Sequence, residues 1–272
     1  MRSIIAAIVP NVYPLMPILR NNAFMAVILL HSLALDSRSW DGVLPGIAEL
    51  GPLTVDLPGH GEALSAPFEL DRAVERVLDA ITGHLPCHEG VPKSPAIHVV
   101  GCGIGALIAD RVSRRIHVDT LTLMSWPPDQ RPGQLAARAD TARQALSADE
   151  VGFLREYRSG ITTCRSAPPA PVSAASFVAA LRAAAVWRPQ RRPDATAVRI
   201  VRGRADERTS AVDARRLAAR WDARYIEVGD AGHACYVDQP DRLATLIRDL
   251  DDGDGYPPTT LSTLAPPAEG ES

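Results

Sequence analysis

Six short apolar runs constrain this chain more than any other feature; they lie at 26–30, 53–56, 97–100, 121–124, 198–201 and 225–228. Rich in Val, Ile and Leu and hardly alternating, they have the composition of strands buried on both faces. The stretches between them, at 40–50, 70–84, 104–116, 211–221 and 240–250, repeat apolar residues at three and four positions, the spacing of a helix with one buried stripe. This alternation predicts an α/β fold, a mostly parallel sheet flanked by helices, because each helix carries the chain back to start another parallel strand.

One connection breaks the rhythm. More than seventy residues separate Met124 from Val198, well beyond an ordinary crossover. Helical patterns at 134–146, 148–157 and 173–186, around the proline-rich 166–172, read as an inserted helical cap over 127–193. The core is then expected at 1–126 and 194–250. Within it, 1–25 reads as irregular or as short strands, because Pro10, Pro14 and Pro17 spoil a hairpin. The acidic, Pro- and Thr-rich 251–272 reads as a disordered tail.

Composition removes several classes of partner. With 29 Lys and Arg against 32 Asp and Glu the net charge is −3, and no basic stripe is present to hold a polyanion, so no nucleic-acid partner is expected. The apolar patches before residue 25 are interrupted by prolines and Arg20 too soon for a membrane span. Cys87, Cys102, Cys164 and Cys235 are scattered and form no Cys-x-x-Cys pair. That spacing predicts neither a metal site nor a disulfide framework, and a cytoplasmic protein is the expectation. A small-molecule substrate is the expected partner, and a homodimer is left open.

The residues able to do chemistry fall at strand ends. The first strand runs into His31-Ser32-Leu33 and then Arg38-Ser39-Trp40, and the second into Asp56-Leu57-Pro58-Gly59-His60-Gly61. The third runs into Gly101-Cys102-Gly103-Ile104-Gly105, a glycine-rich turn before a helix. The fifth ends in Gly203-Arg204-Ala205-Asp206 and the sixth in Gly229-Asp230-Ala231-Gly232-His233. The third motif lacks the glycine spacing and the downstream acid of a dinucleotide fingerprint, so no cofactor is expected. In order and position these five motifs resemble the α/β-hydrolase superfamily, and the His-Ser-Leu stretch resembles its 3-oxoadipate enol-lactonase-like branch. The resemblance covers about 26–250; over the cap it rests on position and helical pattern alone.

The resemblance implies that Asp206 orients the imidazole of His233 and that the backbone N–H groups of Leu33 and Ile104 form an oxyanion hole. It also places Gly103 where the Gly-x-Ser-x-Gly elbow carries its nucleophile. Glycine has no side chain to attack a carbonyl, so covalent catalysis at that position is excluded. An acid–base pair facing an oxyanion hole can still drive elimination, decarboxylation or cyclisation of a small carbonyl, ester or lactone compound, and the resemblance implies a place for such chemistry in specialised metabolism. It can also activate water against an enol-lactone or activated ester. A pseudo-hydrolase that only binds its ligand, and a serine replaced by glycine in an ordinary elbow, are the remaining alternatives. Ser32, Trp40, Trp126 and Arg38 are the candidates for substrate contact. Each has a plainer role open to it: a turn bond for Ser32, core packing for the tryptophans, a solvated helix start for Arg38. His31 and His60 read as structural, and Cys102 as a buried thiol or a displaced nucleophile.

Overall fold

The computed structural model describes residues 25–85, 96–126, 132–163, 166–188 and 191–249. The expectations for 1–24 and for 251–272 lie outside these residues. Six strands, β1 (Met25–Leu30), β2 (Pro52–Val55), β3 (Ala96–Cys102), β4 (Val118–Met124), β5 (Ala195–Gly203) and β6 (Arg224–Val228), form one sheet in the order β2-β1-β3-β4-β5-β6. Every pairing is parallel, as the alternation of strand and helix requires. The helices are α1 (Leu70–His84), α2 (Ile104–Val112), α3 (Pro132–Ala148), α4 (Glu150–Ser159), α5 (Ala174–Val186), α6 (Ala211–Trp221), the single turn α7 (Cys235–Asp238) and α8 (Pro240–Arg248). None of the described helices is long and apolar enough to cross a membrane.

The pleat of the strands divides the interior in two. In β1, Val27 and Leu29 join Val100, Val201 and Ile226 on one face of the sheet, against Leu243, Ala244 and Ile247 of α8. Ala26, Ile28 and Leu30 join Val99, Leu121 and Ile200 on the other, against α1, α2 and α6. Strands apolar on both faces are therefore covered on both faces, and the C-terminal ends of the strands form the edge on which loops can assemble a site.

Two helix expectations need correction. Residues 40–50 are not one amphipathic helix but two 3₁₀ segments, Ser37–Trp40 and Leu44–Leu50, the second kinked at Ile47 (φ −131°, ψ 15°). Pro45 can donate no backbone bond here, and the chain runs so close to α8 that a Cβ on Gly46 would lie 2.5 Å from that of Ala244. The second helix ends at Val112 rather than 116, where Ser113 caps it by donating to Ala109 O. Ile116 still reaches the core from the turn that follows.

Between β4 and β5 lie α3, α4 and α5, near the positions expected. Asp149 accepts from the Gly152 N–H to start α4, and Ser173 accepts from the Ser176 N–H to start α5. The segment before α5 is held to the loop after β2: Gly61 N–H donates to Pro171 O, Ser173 N–H donates to Gly59 O, and His60 pairs with Val172.

Candidate active site

β3 passes into α2 through Gly103, whose φ of +56° and ψ of −113° belong to a region that side-chain-bearing residues rarely adopt. The turn is tight on both sides. A Cβ on Gly101 would lie 2.3 Å from Gly105 O, and one on Gly105 would lie 2.5 Å from Leu30 O, so α2 sits directly on the strands. The Gly103 N–H is tied to Met124 O at 2.9 Å, which fixes the turn to the end of β4.

Asp206 and His233 meet across the ends of β5 and β6. His233 Nδ1 lies 3.3 Å and 3.2 Å from the two Asp206 carboxylate oxygens, and the Asp206 side chain is fully buried. A carboxylate can only accept, so Nδ1 carries the proton and Nε2 presents a lone pair. The Arg208 N–H (2.8 Å) and Thr209 N–H (3.2 Å) also donate to Asp206. Burial pushes this carboxyl up, but the charge and hydrogen bond of His233 and the Arg208 N–H outweigh it and bring it down to about 2.

The other two groups arrive from β1. Ser32 to Leu35 form a turn closed by the Leu35 N–H on Ser32 O (3.2 Å), with Ala34 at φ +66°. Among the described residues, neither the Leu33 N–H nor the Ile104 N–H donates to a protein acceptor. Ser32 is fully buried, and its Oγ, which has the Cys102 thiol as a neighbour, makes no hydrogen bond of sound geometry. A Cβ built on Gly103 would lie 2.8 Å from Ser32 Oγ and 2.9 Å from His233 Nε2, so hydroxyl and imidazole converge on the bare face of this glycine.

These groups line a cavity of about 850 Å³ that also takes in Trp126, Phe153, Tyr157, Phe177, Arg138 and Arg208. Of the expected substrate contacts, Ser32 and Trp126 are there, while Trp40 and Arg38 are not. Trp40 is fully buried and stacks on Tyr236 with ring centroids 3.9 Å apart, because the 3₁₀ segment that replaces the expected helix turns it into the core. Arg38 folds back on Asp36, two residues earlier, and donates to Pro169 O at 2.9 Å. The Cys102 thiol donates to His233 O (3.3 Å), burial pushes it up, and it is not part of the cavity lining, which fits a buried thiol rather than a displaced nucleophile.

Two positioning groups escaped the sequence reading. Tyr236 Oη receives the Ser32 N–H (3.3 Å) and bonds Ser39 Oγ (3.0 Å), bracing the turn after β1. The guanidinium of Arg202, buried at the end of β5, donates to Thr209 O (2.7 Å), Arg204 O (3.1 Å) and Asp206 O (2.6 Å), wrapping the loop that carries the acid. An arginine inside a strand and a tyrosine after a histidine carry no motif; only the apolar setting of Arg202 in β5 hinted at a buried charge that needs many acceptors.

The profile of the alpha/beta hydrolase family matches residues 27–246. The chain belongs to the alpha/beta hydrolase family. Matches to curated relatives are partial: an AB hydrolase superfamily protein of Gibberella zeae is 34% identical over 87 residues, 31% of this chain and 28% of that protein. The biotin biosynthesis bifunctional protein BioHC of Cellvibrio japonicus is 31% identical over 106 residues, 39% of this chain and 19% of that protein. The chain therefore aligns with less than a third of either relative's length. A thermophilic esterase from Thermogutta terrifontis shares the fold at a TM-score of 0.62 and 18% identity, over 83% of this chain and 89% of its own.

Proposed function

We propose that this alpha/beta hydrolase family member is an enzyme in which His233, oriented by Asp206, moves a proton on a small carbonyl, ester or lactone compound without a covalent intermediate at the β3–α2 turn. Gly103 occupies the nucleophile's place in that reading, and 127–193 acts as a cap whose helices shape the substrate. What carries it is the arrangement of His233: Nδ1 is fixed on Asp206, and Nε2 is aimed at the bare face of Gly103. A base so placed removes a proton next to a carbonyl, and the N–H groups of Leu33 and Ile104 receive the negative charge that develops on oxygen. Elimination, decarboxylation and cyclisation are the reactions this supports.

Hydrolysis by a His233-activated water is the second reading, favoured by the open face of Gly103 and by an esterase among the proteins of like fold. Turnover of a panel of activated esters and enol-lactones in ¹⁸O-labelled water separates the two. Products free of label are expected for the first reading, and one labelled oxygen per product for the second. Full recovery of every compound, with some bound tightly, makes the protein a binding module and contradicts both.

A further inference from the structure

We infer that the bare face of Gly103 seats one oxygen atom that the protein does not supply, the hydroxyl of a substrate or of water, held between Ser32 Oγ and His233 Nε2. This rests on the acid–base reading of His233 and, within it, applies to the cyclisation and hydrolysis branches, in which the proton removed is that of a hydroxyl.

The first ground is Ser32 itself. A buried hydroxyl left without a partner is costly, yet this one is fully buried and makes no hydrogen bond of sound geometry in the lining of a mainly apolar cavity. Its backbone is held in place beside Gly103. The Ser32 N–H is on Tyr236 Oη, and Ser32 O accepts from the Leu35 N–H and from His31 Nδ1 at 2.9 Å.

The second ground is complementarity. Ser32 Oγ and His233 Nε2 lie 2.8 Å and 2.9 Å from one point beside Gly103, and they make no hydrogen bond to each other. An oxygen lying between them, outward of that point, receives the Ser32 hydroxyl proton on a lone pair and offers its own proton to Nε2. Two to four polar partners are what a held oxygen needs, and a hydroxyl fits this pair where a carbonyl does not, because a carbonyl has no proton to give.

The third ground is the glycine. A Cβ at 103 would crowd both polar atoms below 3.0 Å. A side chain there and an oxygen seated between Ser32 and His233 therefore exclude each other, and glycine decides in favour of the oxygen. The step that follows is balanced: the O–H proton passes to Nε2, and the oxygen's electron pair forms the new bond to a carbonyl carbon. The carbonyl electrons move onto the oxygen facing the Leu33 and Ile104 N–H groups. Collapse expels the leaving group, which takes its proton from His233. Water as the seated group gives hydrolysis, and a hydroxyl within the substrate gives ring closure.

High-resolution crystal structures of the full chain and its Ser32→Ala variant, each with and without soaked 2-phenylethanol, test the seat. The expected result is an ordered oxygen within hydrogen-bond distance of Ser32 Oγ and His233 Nε2, lost in Ser32→Ala. In soaked crystals, a probe hydroxyl in that place assigns the seat to substrate, and a retained water assigns it to water. The inference is overturned if no oxygen lies within reach of both atoms, or if Ser32 Oγ is bonded to protein instead. A filled seat with full turnover in His233→Ala refutes the acid–base reading alone; an unfilled seat with turnover lost in His233→Ala refutes the seat alone.

Discussion

Replacing His233 by alanine lowers kcat by about 10²- to 10⁴-fold, the usual worth of a positioned general base, while the fold is retained. The imidazole stands at the cavity wall, and among the described residues its side-chain partner is Asp206, which keeps the N–H donors of Arg208 and Thr209 when the ring is gone. Asp206→Asn is expected to cost activity by a similar mechanism. An amide can present an N–H to Nδ1, moving the ring proton to Nε2 and removing the lone pair that faces Gly103. Steady-state kinetics on any compound the wild-type protein converts checks both. Unchanged kcat in His233→Ala would falsify the acid–base assignment.

Stability falls as pH drops below about 6.5, ahead of any loss from Asp206. His31 is fully buried at the end of β1, donating from Nδ1 to Ser32 O and accepting the Leu57 N–H (3.0 Å) on Nε2, which fixes it as a neutral ring. Burial lowers its pKa to about 4. His60, with its ring centroid 5.1 Å away, is lowered to about 3, first by burial and then by the charge of His31. In the unfolded chain both titrate near 6.5. Between that value and the native ones the unfolded state binds protons that the folded state refuses, so stability is fully present above about 6.5 and is lost as pH falls. At about 1.4 kcal/mol per unit, His31 alone accounts for roughly 3 kcal/mol between pH 6.5 and 4. Asp206 adds its loss only lower, as pH falls from its ordinary range near 4 toward about 2. Urea midpoints measured at pH 7, 5.5 and 4.5 check the sign, and a flat profile across that window contradicts the burial of a neutral His31.

The strands were legible because buried parallel strands are continuous apolar runs, and the place of the candidate site was legible because a parallel sheet brings all its C-terminal strand ends to one edge. His31, Gly103, Asp206 and His233 each follow such a run by no more than a few residues. What lay hidden depends on contacts distant in sequence. The periodicity of 40–50 could not register that Gly46 would lie against Ala244, and with the helix went the expected aim of Trp40. Arg38 was drawn from the cavity by Asp36, a local pair whose geometry is set by the 3₁₀ start. Arg202 and Tyr236 brace the site through backbone groups, which leave no pattern in the side-chain order.

The central claim, that proton transfer by His233 proceeds without a protein nucleophile at the β3–α2 turn, is tested most directly by intact-mass analysis after treatment with a fluorophosphonate ester. The wild-type protein is predicted to remain unmodified. Gly103→Ser is predicted to gain one adduct at the new hydroxyl, once the strain of a side chain at φ +56° is met and the edge of the His233 ring and the Ser32 hydroxyl give way. That adduct should vanish when His233→Ala is added. A stoichiometric adduct on a cavity residue of the wild-type protein would contradict the account, because it would mean that the chain carries its own activated nucleophile.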